Sequence, residues 1–191
     1  MHRAAVLKLL RAHGRRALAP EEEAAVAATI ELVEANPACL LRTCMPGHVT
    51  GSAWIVSPDR RLTLLTLHRK LGKWLQLGGH ADGDEDLLSV ALREAREESG
   101  LAGIRVARDS VFDVDRHWIP AHGGEPGHWH HDLRFLLEAD PSQPLTVSSE
   151  SRELAWVEVS SVPALNPEES MMRMVRKTLV EAPHLGGERQ T

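Results

Sequence analysis

Three glutamates, Glu94, Glu97 and Glu98, stand at i, i+3 and i+4 in a segment that reads as a helix over about 85–99. Each helical residue turns about 100°, which sets Glu97 near −60° and Glu98 near +40° from Glu94, so the three carboxylates share one face. Ala91, Ala95, Leu88 and Leu92 fall between roughly 60° and 160° and read as a separate apolar stripe. A solvated helix gains support from acids paired with Lys or Arg one turn on, whereas three acids on one face repel one another. A divalent cation relieves that repulsion, and oxygen donors select a hard ion, Mg²⁺ or Mn²⁺ rather than Zn²⁺. A plain solvated acidic face has the same spacing, and the three glutamates alone leave both readings standing.

A longer pattern separates the two. Gly79, five residues, Glu85, seven residues and then Arg93-Glu94-Ala95-Arg96-Glu97-Glu98-Ser99-Gly100-Leu101 resembles the Nudix box, G-x5-E-x7-R-E-U-x-E-E-x-G-U, at every fixed position. The box covers 79–101, and the likeness to the family spans about 45–182. The resemblance implies an α/β/α sandwich around a mixed β-sheet, in which a loop–helix–loop holds Mg²⁺ or Mn²⁺ and hydrolyses a diphosphate linked to another moiety, usually a nucleoside. Residue by residue, it implies that Glu94, Glu97 and Glu98 ligate metal and that the Gly79 backbone helps form the metal-binding loop. It further implies that Arg93 orients the glutamates by ion pairing, while Glu85 is structural. Glu94 is the base or a ligand. Glu150, six residues ahead of Trp156, sits where some members bring in a further glutamate as an extra ligand, with Glu153 as its competitor. The chain departs from the common Pro-Gly-Gly with Leu77-Gly78-Gly79, and carries His80 and Asp82 in the loop that follows.

The reaction suits such a site. A diphosphate is a poor electrophile ringed by negative oxygens, so water attack needs charge neutralisation, an acidified nucleophile and a proton acceptor. Residues that would read the rest of the substrate are sought in the stretch from His117 to His131, which holds five of the 11 histidines with Trp118 and Trp129. His117, His130 and Arg134 are candidates to donate to phosphates, and Trp118 to stack on a base. Two other readings stand beside this one: an accessory transition-metal site at His128, His130 and His131, and simple strand alternation with polar residues facing solvent. Loop 120–127, rich in Gly and Pro, is expected to be flexible and able to close over a substrate. His48 and His68-Arg69-Lys70 are further candidates to reach phosphates, with solvated strand ends as the leading reading. Cys39 and Cys44 lack partner histidines at zinc spacing.

The elements that must position these groups follow from periodicity. A first helix ends at Gly14, and a second starts at Pro20 with Glu21, Glu22 and Glu23 suiting its positive end. Val26, Ile30 and Val33 mark its buried face, and Asn36-Pro37 stops it. Strands are expected at Val49–Val56 and Leu62–His68 around a Ser57-Pro58-Asp59 turn, and at Ile104–Val114, His130–Glu138 and Leu154–Val159. A glycine-bearing loop, 77–83, leads to the box helix, which Asp84 can cap and Gly100 can end. A last helix presents Met171, Met174, Val175 and Leu179. The expected organisation is an α/β Nudix-type domain over 38–191 preceded by an N-terminal helical extension, 1–37.

Composition narrows the function classes. With 42% apolar and 26% charged residues among 191, the chain is globular in character. No apolar run reaches the ~18–20 residues of a membrane span, and two cysteines suit a reduced, cytoplasmic setting. The net charge of −5 argues against coating nucleic acid. Gly79–Leu101 holds seven acids and two bases, so the box alone carries the charge of the whole chain, as a cation site would. The expected partner is a small-molecule diphosphate, a nucleotide first, and the resemblance allows a homodimer. The alternatives are a non-nucleotide diphosphate (isoprenoid, inositol or sugar) and a nucleotide-sensing module without catalysis.

Overall fold

In the computed structural model, which describes residues 3–121, 124, 126–149 and 151–181, a mixed sheet runs between two helical layers. Helices α1 (Ala4–His13) and α2 (Pro20–Ala35) precede strands β1 (Gly47–Val56), β2 (Leu62–His68), β3 (Trp74–Leu75) and β4 (Leu77–His80). Helix α3 (Leu87–Ser99) follows, then β5 (Arg105–Val106), β6 (Asp113–Ile119), β7 (His128–Glu138) and β8 (Ser151–Glu158). A 3-10 turn at Val159–Ser161, α4 (Val162–Leu165) and α5 (Glu169–Glu181) complete the order. The eight-stranded sheet runs β3-β2-β1-β7-β5, with β4 also pairing β1, β6 pairing β7 and β8 pairing β2. The central pair, β1 and β7, is parallel over ten register positions from Gly47↔Trp129 to Val56↔Glu138.

The pleat sorts β1 into two faces. Val49, Ala53 and Ile55 face one buried layer with α1, α2 and α3, in which Val6, Leu10, Val26 and Val33 join Leu87, Val90, Ala91 and Ala95. Trp54 and Val56 face the other, with Phe112, Leu136 and Met171, Met174 and Val175 of α5. The N-terminal helices therefore bury their apolar faces in the same core as the box helix. Trp54 donates its indole N–H to the Thr178 hydroxyl (2.8 Å), so Thr178 takes the buried place expected of Leu179, which is exposed.

Several boundaries differ from those expected. The expected strand at Ile104–Val114 is two: β5 ends at Val106, and β6 begins only at Asp113, because Asp109-Ser110 supplies turn chemistry between them. The expected loop at 77–83 begins as strand, with β4 pairing β1 through Ser52↔Gly78 and Gly51↔Gly79. Helix α3 is capped by Asp86, whose carboxylate accepts from the Ser89 N–H (3.2 Å) and hydroxyl (2.8 Å). Asp84 instead accepts from the Asp86 N–H (2.9 Å) in the preceding turn. Gly100 ends α3 in the left-handed region at φ 73°, where a side chain is strained.

Candidate active site

The box helix does not separate its acids from its apolar side. Leu87 and Val90, at about +20° and −40° from Glu94, are fully buried along with Ala91 and Ala95. The carboxylate face is thus the continuation of the buried face toward the helix C-terminus. Glu98 is 8% exposed and the Glu94 side chain 16%, whereas Glu97 is 61% exposed. Two of the three carboxylates therefore sit in a partly desolvated position, where uncompensated charge is costly.

Strand β4 brings the glycine pair against this face. A Cβ built on Gly79 would lie 2.5 Å from Glu94 Cδ and Oε2, so only glycine lets the strand approach the carboxylate this closely. From the other side the Arg93 guanidinium donates to Glu94 Oε1 (2.6 Å), and it lies 3.5 Å from Glu97 Oε2. Its second nitrogen donates to the His80 carbonyl (3.2 Å), tying the helix to the end of β4. Before the helix, Arg42 grips Asp82 through two hydrogen bonds (2.9 and 2.7 Å), which holds the Asp82 carboxyl below its usual range. Glu85 lies in this loop, half-buried, two residues ahead of α3. Gly79, Arg93, Glu94 and Glu97 are thus in one place, with Glu98 one residue further along the same face. Glu150 lies outside the described residues.

The profile of the NUDIX domain matches residues 47–177 of the chain. The chain belongs to the Nudix family. No curated protein matches it in sequence. Among solved structures it is similar to an Ap4A hydrolase from C. elegans in a binary complex, at 18% identity and a TM-score of 0.56, covering 69% of this chain and 95% of that one. It is also similar to a Nudix-family hydrolase from Clostridium perfringens, at 22% identity and TM-score 0.54, covering 70% and 97%. A third is the E. coli dihydroneopterin triphosphate pyrophosphohydrolase, at 15% and 0.54, covering 69% and 95%. These likenesses establish the Nudix fold, the α/β/α sandwich expected from the sequence. The Nudix match starts at the first strand, so α1 and α2 lie ahead of it.

The donor set of this Nudix hydrolase fits a hard divalent ion. Three carboxylates share the site with one guanidinium, a net deficit of positive charge. The Gly79 position leaves room beside Glu94 that a side chain would fill, and carboxylate oxygens are what Mg²⁺ and Mn²⁺ select.

The residues expected to read the substrate separate. On β6 and β7 the register pairs Asp113↔Arg134, Asp115↔Asp132 and His117↔His130, and these side chains share one sheet face. Arg134 is 2% exposed and its guanidinium engages Asp132 (2.9 Å), Asp113 (3.2 Å) and Asp115 (3.1 Å). Its donors are consumed by this buried ion cluster, so it is a structural cation rather than a substrate contact. The cluster continues through Arg173, which bonds Asp113 twice (2.7 and 2.8 Å). It ends at Lys177, which donates to Asp113 (2.8 Å) and to both oxygens of Glu22 (2.6 and 2.7 Å). Glu22, expected to suit the positive end of α2, is fully buried and also bonds His13 Nε2 (2.7 Å). Burial alone would raise its carboxyl, but His13 and Lys177 hold it down at about 2.

Trp118 points to the opposite face of β6 from His117. It is 51% exposed and packs edge-on against Trp129, with ring centroids 5.3 Å apart. His117 bonds Asp115 (3.2 Å), and its ring lies 5.5 Å from that of His130. Residues 122, 123 and 125 of the expected mobile loop lie outside the described residues.

His48, expected at a solvated strand end, is 1% exposed. The signal that would have found it is a shared period of two. His48, Thr50 and Ser52 of β1 are register partners of His130, Asp132 and Arg134 of β7. Polar residues alternate in phase on adjacent central strands, which marks a buried polar sheet face rather than a wet edge.

Proposed function

We propose that the protein hydrolyses a diphosphate linkage in substrates of the nucleoside-diphosphate-X type, with Mg²⁺ or Mn²⁺ held by Glu94, Glu97, Glu98 and the Gly79 backbone. The single observation that carries this reading is the Glu94 carboxylate clasped between the Gly79 backbone and the Arg93 guanidinium. Glu97 and Glu98 follow one turn later on the same face. The bound ion would supply charge neutralisation for the phosphate oxygens and a lowered pKa for the attacking water.

The chain supplies the rest. Arg93 fixes the Glu94 carboxylate from one side and, through the His80 carbonyl, fixes its own position. Glu94 is then pre-oriented either to ligate or to accept the proton lost by water, with no reorganisation at the moment of reaction. Glu150 is the extra ligand in this reading. His117 and Trp118 are left as the substrate contacts, on opposite faces of β6. Residues 38–191 carry the hydrolase and residues 1–37 brace its core from the α3 side. A cytoplasmic setting belongs to this reading, and among the described residues no helix is long and apolar enough to cross a membrane.

Two structural neighbours are named for phosphoanhydride substrates, Ap4A and dihydroneopterin triphosphate. The test is a panel of dinucleoside polyphosphates, sugar nucleotides, (d)NTPs, CoA derivatives and isoprenoid diphosphates, with phosphate release followed under Mg²⁺ and Mn²⁺. Turnover of a nucleotide member that vanishes in Glu98→Gln supports the proposal. Turnover confined to non-nucleotide diphosphates overturns the substrate class, and nucleotide binding without turnover anywhere overturns the enzyme reading.

A further inference from the structure

The polar face of the sheet opposite α3 ends in a knot of imidazoles. His48 of β1, His128 and His130 of β7, His117 of β6 and His80 of β4 crowd together, with neighbouring ring centroids 4.8–5.5 Å apart. Gly79 turns its missing side chain toward Glu94, so His80, the next residue on β4, lies on the other side of the sheet. The knot is therefore separated from the box carboxylates by the strand itself.

We propose that His48, His128 and His130 form a second metal site, for a borderline-soft transition ion of the Zn²⁺ class, distinct from the Mg²⁺ or Mn²⁺ site of the box. One ring nitrogen from each lies within 4.8 Å of the other two, and the Nε2 atoms of His128 and His130 are 3.2 Å apart. A tetrahedral ion with metal–nitrogen bonds of about 2.0–2.1 Å sets neighbouring ligand nitrogens roughly 3.3–3.4 Å apart. That pair is thus already at ligating separation.

The tautomer of His128 is set as a ligand requires. Its Nδ1 donates to the Pro126 carbonyl (2.9 Å), which leaves the Nε2 lone pair facing the other rings. His48 is the second pointer. It is 1% exposed, and neither ring nitrogen has a hydrogen-bond partner. The Cys44 carbonyl lies near enough to bias its protonation but makes no hydrogen bond of ordinary geometry. A buried imidazole with both nitrogens unsatisfied is costly unless something absent takes the lone pair.

The three rings present nitrogen donors to one another at ligating separation, with no guanidinium or ammonium among the atoms of the cluster. Neutral nitrogen donors suit Zn²⁺, Ni²⁺ or Cu²⁺ and not Mg²⁺. Gly47 permits the arrangement: a Cβ there would lie 2.6 Å from the Trp129 carbonyl oxygen, so only glycine lets β1 lie close enough to seat His48 beside His130. His131, on the other face, is not part of the set and bonds the Thr29 hydroxyl (3.0 Å).

The test uses the full chain, stripped with chelator and titrated with Co²⁺ in excess Mg²⁺, which keeps the box carboxylates occupied. The expected result is one equivalent of Co²⁺ with the intense ligand-field absorption of a low-coordinate nitrogen site. It should persist in Glu97→Gln/Glu98→Gln and be lost in His48→Ala and in His128→Ala. Zn²⁺ should displace the Co²⁺ and raise the thermal midpoint of the wild-type chain, while Mg²⁺ does neither. X-ray absorption of the wild-type complex needs no variant, and should show imidazole scattering from at least three rings. The proposal is overturned if the wild type binds no Co²⁺ beyond what Mg²⁺ displaces, or if the nitrogen-type spectrum survives both histidine substitutions. Inorganic pyrophosphate binding lost in His48→Ala, with no Co²⁺ uptake by the wild type, would also overturn it and make the knot a phosphate site.

Discussion

Replacing Gly79 by alanine separates catalysis from stability at one atom. The new Cβ would stand 2.5 Å from Glu94 Cδ and Oε2 and 2.8 Å from Oε1, where ordinary contact begins at 3.4 Å. About 0.9 Å of clearance must be found. The obstructing atoms are the end of a side chain that is itself only partly buried, so Glu94 yields and the backbone does not. The fold should then lose little, with a thermal midpoint within a few degrees of wild type. The carboxylate, however, leaves the position set by Arg93 at 2.6 Å. A displacement of about 1 Å in a catalytic group costs roughly 10²-fold in rate, equivalent to about 2.7 kcal/mol of barrier. The assay is steady-state phosphate release on the best substrate of the panel, with a Mg²⁺ titration beside it. Folded Gly79→Ala with kcat/KM within about threefold of wild type would refute the proposed role of the Glu94 clasp.

Gly78→Ala is the counterpart: its Cβ would meet the Ser52 Cα at 2.6 Å, backbone in a central strand, so stability rather than kcat should fall, by about 1–3 kcal/mol in urea unfolding. Glu98→Gln should keep the fold and lower turnover by roughly 10²–10³-fold, with isothermal titration showing weaker Mg²⁺ binding. Glu22→Gln strips a buried carboxylate from His13 and Lys177 and should cost about 3–5 kcal/mol, read from thermal or urea unfolding. The Glu22 carboxyl is held down in the fold relative to an ordinary 4.5, so its contribution is complete above about pH 4.5 and fades as pH falls toward 2. Urea midpoints should drop across that window in wild type and less steeply in Glu22→Gln.

What the sequence disclosed divides by range. The box, its helix and strands β1, β2, β7 and β8 are written in local periodicity and spacing and appear where expected to within a few residues, whereas β3, β4 and β6 do not. The start of α3 shifted because Asp84 and Asp86 are both competent caps, and only the turn geometry gives the cap to Asp86. A helical wheel placed the three glutamates together but could not show that Leu87 and Val90 extend the same face into the core. Glu22 was illegible for a different reason. Its partners lie 9, 92 and 155 residues away, and an acid in the first turn of a helix has a sufficient local explanation. Arg134 misled similarly, since a basic residue in a histidine-rich strand resembles a phosphate donor until its three aspartates are in view.

The bond between Lys177 and Glu22 also imposes an order in time. Glu22 lies in α2 and Lys177 in α5, so synthesis delivers the ammonium 155 residues after the acid. At about 5–20 residues per second that interval is roughly 8–30 s. Throughout it the early helices carry an acid with His13 at hand but without the ammonium that completes its burial, and Asp113 waits for the same group. The ion cluster around Glu22 is therefore complete only when α5 arrives. A nascent chain halted before residue 177 should be cut more readily around α2 and β6 than the finished chain, however complete its metal-binding box.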